Sequence, residues 1–461
     1  MKITKLALLI GISPLFLQAA FADDDKPVID PEVYEEMIAE KTGPKADYEQ
    51  TLNGSVILDT RYRGRTNAEG KDMKGRLNYS SYNVMLNYNS GFINDFFSIN
   101  LGGYFSGDLY NNSIPVGDNP LCNEVGMCSS GDVSKNAFDF KATNVSLKIK
   151  PTDNTVAEIG KIQGGVGTIG NIWTFAPGSY RGVKANHTFS EAFNLGYMWA
   201  DESEAPWLQS WDDVTEPWFA VKYSYMQTIG ANGTLGALTY NLGIGQAKNV
   251  DYSQYGVADG ALFNSIDIES YNVYLKYALQ DNLSLTYNMY GTDDEIMYNG
   301  FAAHHGAILD WGINDTWSFS SQVQYTQLDE NSAVGEYAPR TIQRYGSNNG
   351  VYALWWDALS DWNMPGEVAW FNKASYKPNQ DWTVNFGFAY GGNAKESTAG
   401  FSYKSEYAFT GDVTYTVPSG TLKGTLFKLH GTVLERDAFE GKEDRDENDL
   451  RFIMIMPMSL I

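Results

Sequence analysis

The residue types that could carry chemistry are few in this 461-residue chain: four histidines, two cysteines and a Gly-x-Gly-x-x-Gly run. That run, Gly165-Val166-Gly167-Thr168-Ile169-Gly170, lacks the buried strand, following helix and downstream ribose carboxylate of a dinucleotide site. Its glycines read instead as a tightly folded loop. His304-His305 reads as a lone pair in a loop, and no nucleophile elbow or zinc signature accompanies it, so neither a catalytic nor a metal site is expected. Cys122 and Cys128 lie in a Gly/Asn/Pro-rich stretch and, in an exported chain, suggest a disulfide closing a small loop; metal binding is the weaker alternative, with no histidine near.

The informative chemistry is aromatic. Trp173, Phe175, Tyr180, Trp199, Trp207, Trp211 and Trp218 form one group, and Trp355-Trp356-Asp357 with Trp362 a second. Sugar rings present an apolar C–H face and a rim of hydroxyls, so aromatic platforms flanked by Asp, Asn and Arg suit them. Any single tryptophan also has a plain alternative role in packing or at a membrane interface. Adjacent Trp355 and Trp356 face opposite sides if extended, so at most one points inward.

The elements that must position these residues alternate with period two. Tyr271, Val273, Leu275 and Tyr277 interleave with Asn272, Tyr274 and Lys276. After a turn at Gln280-Asp281-Asn282, Leu283, Leu285, Tyr287 and Met289 interleave with Ser284, Thr286 and Asn288. The pattern returns around Trp317–Tyr325, Val384–Tyr390 and Val413–Val417, always with Asn, Ser, Thr, Gln or Asp on the second face, as a wet lumen requires. Aromatics cap strand ends, as interfacial belts demand. Connections alternate between tight (280–282, 313–316, 418–421) and long (106–138, 164–180, 291–303), the asymmetry of a transmembrane barrel. Asn272, Lys276, Asp310, Asp412 and Lys428 are expected to point inward and exchange hydrogen bonds with solute.

Lys2 and Lys5, an apolar run from Leu6 to Leu17 and Ala20-Phe21-Ala22 make residues 1–22 a cleaved signal peptide. No later stretch reaches the roughly 18 apolar residues of a membrane helix, and mean hydropathy is −0.34. Residues 23–50 form an acidic periplasmic segment with ten carboxylates against three lysines; a tail is one reading and a plug tethered at the pore mouth the other. Residues 51–461 form the barrel, with no linker to a second domain. The net charge of −23 argues against nucleic acid and anionic cargo, and favours neutral or cationic solutes if the acidic residues line the pore and not only the loops.

Several segments together resemble the OprD family of outer-membrane porins, and within it the chitoporin branch. They are Leu86–Phe92, Gly160–Gln163, Trp173–Gly182, Tyr197-Met198-Trp199, Ala205-Pro206-Trp207, Ser347–Gly350 with Trp355-Trp356-Asp357, Gly424–His430 and the closing Leu450–Ile461. The resemblance covers the chain from about Leu52 onward. It implies an all-β, antiparallel up-and-down barrel of 18 strands in the Gram-negative outer membrane, with long extracellular loops folded into a constriction. The segment matching Gln163–Arg181 would be a constricting loop, which assigns Trp173, Phe175, Tyr180 and Arg181 to the narrow zone. Family members that import anionic solutes carry an arginine ladder, whereas arginine is sparse here, which points away from carboxylate cargo. The long acidic segment and the terminal Ile461 in place of an aromatic also depart from the pattern.

The expected function is facilitated diffusion of chitooligosaccharides, with a porin for other sugars or small solutes, or a secreted carbohydrate-active enzyme, as alternatives. Expected solute-binding residues are Trp173, Phe175, Tyr180, Arg181, Trp199, Trp207, Trp211, Trp356, Asp357, Lys276, Asp412 and Lys428. No cofactor is expected. Lipopolysaccharide and outer-membrane lipid are the expected surroundings, and the oligomeric reading is a monomer, with a trimer as the alternative.

Overall fold

Strands with one apolar and one polar face need water on one side and hydrocarbon on the other, and a closed sheet supplies both. The computed structural model describes residues 50–67, 76–113, 138–170, 178–204, 212–216, 221–250, 267–333, 335, 359–397, 402–442 and 445–460. The leader, Cys122, Cys128 and several of the tryptophans lie outside them.

The strands are β1 (Thr51–Thr66), β2 (Leu77–Asn89), β3 (Phe97–Asn111), β4 (Phe138–Thr152), β5 (Thr155–Ile162), β6 (Ser179–Ser190) and β7 (Phe193–Glu204). A short excursion, β8 (Asp212–Glu216) and β9 (Val221–Tyr223), follows. Then come β10 (Tyr225–Leu235), β11 (Leu238–Lys248), β12 (Ile268–Gln280), β13 (Leu283–Asp294), β14 (Gly300–Gly312) and β15 (Trp317–Gln327). The series ends with β16 (Val368–Asn379), β17 (Trp382–Gly392), β18 (Tyr403–Thr416), β19 (Leu426–Ala438) and β20 (Asp446–Ser459).

Each stave pairs antiparallel with the next. β7 skips the excursion to pair with β10, and β20 returns to β1 from Asn53↔Ser459 to Thr66↔Asp446. The result is a closed 18-strand barrel. The tight connections, such as 153–154 and 281–282, share one end with the start of β1 and the end of β20. Two expectations change here. The 291–303 connection shrinks to 295–299, because β13 and β14 continue across it, and His304-His305 is therefore in a strand. The turn expected at 418–421 occupies 417–425.

Polarity is inverted relative to a soluble protein. On β13 Thr286 and Asn288 are buried while Leu285 and Tyr287 are exposed; on β19 Lys428, His430 and Thr432 are buried while Leu429 and Val433 stand half exposed. Among the described residues no second apolar layer covers the outer face, so its stable surroundings are hydrocarbon. Outward rings at the tight-turn end pair as Trp317–Tyr376 and Trp382–Tyr415, with centroids 4.6 and 4.7 Å apart, and make the girdle on that side.

The seam between first and last strands is stitched by crossed ion pairs. Arg61 Nε donates to Asp449 Oδ1 at 2.7 Å and Arg451 Nε to Asp59 Oδ1 at 2.8 Å, while Tyr79 Oη donates to Asp59 Oδ2 at 2.7 Å. All five side chains are buried on the lumen face.

Candidate functional site: the solute path

β5 is short because the chain leaves the wall at Ile162 and turns into the lumen. Gly165 N–H donates to Ile169 O at 2.8 Å, closing a small turn whose tip, Gly167, has φ +52°. The tip lies against the inner face of β10–β12. A Cβ on Gly167 would sit 2.2 Å from Thr228 Oγ1, and one on Gly243 would sit 2.6 Å from Gly167 Cα, so only glycines allow this approach. Thr168 N–H donates to Thr228 Oγ1 at 2.9 Å, Ser270 Oγ to Thr168 Oγ1 at 2.9 Å, and Asn272 Nδ2 to Gly167 O at 3.2 Å. Tyr180 Oη ties the return limb by donating to Gly170 O at 2.7 Å. Ile162, Val166 and Ile169 pack with Met198, Met226 and Ala247. The glycine-rich run is thus the anchor of an inward loop that narrows the pore between β5 and β10–β13.

A second inward segment, 359–367, lies on the lumen side of β16–β19. Leu359 and Trp362 pack with Ala369, Phe371, Ala408 and Leu434. Ser360 Oγ donates to Glu406 at 2.6 Å, and Arg436 joins Glu406 Oε2 at 3.0 Å and the Leu359 carbonyl at 3.2 Å. Glu367, one residue before β16 and outside the spanning strands, accepts the Met364 N–H at 3.1 Å. Burial, and then the Glu406 carboxylate, push its carboxyl well above the usual range. Burial and the neighbouring carboxylate thus favour the protonated form of Glu367. Because the docked segment binds that proton, its docking is complete at low pH and weakens as pH rises through the raised value. Open-channel current noise should therefore grow at alkaline pH, and Glu367→Gln should remove that pH dependence.

Between these two segments the lumen has two unlike walls. From β18 around to β7 it is charged and internally paired: Arg65–Glu447 at 3.1 Å, Arg436–Glu447 at 3.0 Å, Lys428–Asp412 at 3.5 Å, Lys141–Glu204 at 3.5 Å and Lys184–Glu158 at 3.1 Å, besides the seam. From β12 to β15 the buried polar residues are Ser270, Asn272, Thr286, Asn288, Thr292, His304, Ser320, Gln322, Gln324 and Thr326, with Asp294 the charged one at the loop end, beside the apolar Ile268, Tyr290 and Ile308. One wall offers amides and hydroxyls, and the other offers cations that meet carboxylates but outnumber them, with Glu447 shared by Arg63, Arg65, Arg436 and Arg445 and Glu204 by Lys141 and Lys161.

The expected site residues scatter across this frame. Tyr180 is buried and anchors the loop, leaving its hydroxyl engaged. Arg181 is corrected: Tyr180 and Gly182 take the buried inward positions on β6, so Arg181 between them faces outward, paired with Asp201 at 2.7 Å and Glu202 at 2.7 Å. Trp199 is also corrected, since Met198 and Ala200 take the inward positions and Trp199 lies outward beside Tyr225. Asp412 and Lys428 face the lumen but hold each other, with Asn385 Nδ2 donating to Asp412 at 2.9 Å. Lys276 is exposed on the lumen side of β12, near the tight-turn end. Trp173, Phe175, Trp207, Trp211, Trp356 and Asp357 lie outside the described residues. The scarcity of arginine is corrected in one respect: Arg61, Arg63, Arg65, Arg436 and Arg451 concentrate on three adjacent strands, β19, β20 and β1. Sequence reading missed the docking residues Thr168, Thr228 and Ser270.

No family model matches the sequence. The chain is 26% identical to the chitoporin of Escherichia coli strain K12, over 89% of this chain and 92% of that protein. Among solved structures it is similar to OpdK of Pseudomonas aeruginosa, crystallised with vanillate, at 15% identity with a TM-score of 0.63 over 89% of this chain and 99% of that one. OccAB3 of Acinetobacter baumannii gives 13% identity and a TM-score of 0.66 over 89% and 99%. These structures establish the barrel fold, of the OprD/Occ porin type, and the sequence match identifies a chitoporin homologue.

Proposed function

We propose that this chitoporin homologue, an outer-membrane porin in type, is a channel through which neutral oligosaccharides, chitooligosaccharides first among them, diffuse passively into the periplasm. The observation that carries the reading is the pairing of the lumen. A cation that already holds a buried carboxylate offers less to an anionic solute, because capturing that solute would weaken the existing pair. The amides and hydroxyls of β12–β15 exchange hydrogen bonds with sugar hydroxyls at little net cost, which lets a solute enter and leave. The inverted polarity of the barrel and its porin homologues support an outer-membrane location, with residues 1–22 as the export signal. They also support a channel over an enzyme.

Trp173, Phe175, Trp207, Trp211, Trp356 and Asp357 remain the proposed aromatic and acidic platforms along the path. Trp173→Ala or Trp207→Ala should weaken sugar block of the ion current by about two- to tenfold, the equivalent of ~0.5–1.5 kcal/mol for a lost ring contact, with open conductance nearly unchanged. A variant that merely fails to insert would assign that ring to the girdle. Liposome swelling with N-acetylglucosamine oligomers, maltodextrins and amino acids tests the cargo. Faster entry of the N-acetylated oligomers is expected, and equal permeability for all three would remove the specificity claim.

A further inference from the structure

Five outward residues lie in one row across the closing strands: Phe386, Gly411, Gly431, Leu450 and Tyr62, each directly opposite the next. The two glycines leave a gap in the apolar outer face. It is a pit of about 540 Å³, open to the outside, with Phe386, Phe409, Val433 and Leu450 on its rim, each more than half exposed.

The fold does not ask for glycine at either position. Gly54, Gly64, Gly103 and Gly291, also outward, would each put a Cβ under 3.0 Å from a neighbouring atom. A Cβ on Gly411 would come no nearer than 3.5 Å to the Asn385 carbonyl, and one on Gly431 no nearer than 3.7 Å to that of Asp449, which are ordinary contacts. Neither glycine has a positive φ. Glycine inside a strand weakens it, and two side by side mark a place where something from outside approaches the backbone.

Position decides what approaches. Tyr415, in the girdle at the tight-turn end, is four residues along β18 from Gly411, about 13 Å of strand and roughly 10 Å of height at a 35–45° tilt. The pit therefore faces the turn-end half of a hydrocarbon band ~25 Å tall, away from headgroups and water. A second barrel is too large an occupant: eleven residues line the pit, against roughly 20–30 a side in a stable protein interface. A flexible hydrocarbon chain fits, because it can fill a hollow that a stiffer neighbour would bridge and leave without contacts.

We propose that this pit is a lipid-retaining site, in which one acyl chain of a periplasmic-leaflet phospholipid lies over Gly411 and Gly431 between Phe386 and Leu450. The chain covers the outside of the sheet where β18, β19 and β20 carry the charged wall on the inside. The site rests on the outer-membrane reading, which supplies the lipid.

The test is native mass spectrometry of the barrel extracted from its membrane in mild detergent, unaltered, as Gly411→Val/Gly431→Val and as Gly431→Val alone. The gel shift between folded and boiled forms checks that each variant is folded. The unaltered barrel should carry one phospholipid mass. Retention should fall about tenfold in the double variant and by a smaller factor in the single one, which serves if the double variant does not fold. Phospholipid retained at the unaltered level in the folded variants, or absent from the unaltered barrel, would overturn the site. So would a lipopolysaccharide mass or a second copy of the chain that is bound in the unaltered barrel and lost on substitution. Recovery of the chain in the soluble fraction would instead sink the membrane reading, and the site with it.

Discussion

Gly167→Val is expected to raise open-channel conductance about twofold or more, because conduction follows the narrowest section and this substitution releases the loop that makes it. The new Cβ would fall 2.2 Å from Thr228 Oγ1 and 2.8 Å from the Ile229 carbonyl. A β-branched residue at φ +52° adds backbone strain of its own, of order 1–3 kcal/mol. Neither cost can relax without withdrawing the tip from β10 and β11, and withdrawal also breaks the Thr168, Ser270 and Asn272 hydrogen bonds. Sugar block should weaken in parallel. Gly236→Val is the control. That glycine also has positive φ, in the β10–β11 turn, but nothing lies within 4 Å of its Cβ position, so strain alone is introduced and conductance should stay as it was. Planar-bilayer recording of the two variants separates loss of the constriction from strain in general.

Arg451→Met should cost about 3–5 kcal/mol of stability, since it strands the buried Asp59 carboxylate at the closing seam. Asp59 would keep the Tyr79 hydroxyl but lose two guanidinium hydrogen bonds, at 2.8 and 3.1 Å. Replacing both members, Asp59→Asn with Arg451→Met, should recover much of the loss, because no charge is then left alone. Urea unfolding in lipid vesicles, followed by the gel shift between folded and boiled forms, reads the difference. A cost below about 1 kcal/mol for Arg451→Met would mean that the lumen hydrates these groups like a surface pair.

Strand periodicity made the barrel legible in the sequence, because each wall segment must alternate to separate water from lipid. The alternation of β12 and β13 around Asp281-Asn282 is the clearest case. It failed at Gly291–Ala303, where paired residues of like type, Ala302-Ala303 and His304-His305, hide which face is which. In the barrel His304 is buried beside Gln324, with 2.9 Å between His304 Nδ1 and Gln324 Nε2, while His305 lies outward against Tyr325. Arg181 needed only the alternation itself: with Tyr180 inward on β6, the adjoining Arg181 faces outward.

The charged wall was illegible for another reason. Composition averages over the chain, and Arg61 and Asp449 are 388 residues apart until the barrel closes. A count of arginines could not show that they cluster, nor that each meets a carboxylate. The inward loop was visible only as glycine punctuation; what it docks against is spread over β10, β12 and β13.

The most direct test of the central claim is single-channel recording of the unaltered protein with a neutral N-acetylglucosamine oligomer on one side and, in a separate run, an aromatic carboxylate such as vanillate. The paired cations and the amide wall predict brief, concentration-dependent interruptions of current by the oligomer and a steady current with the carboxylate. Steady current with the oligomer and frequent interruptions with the carboxylate would contradict the account.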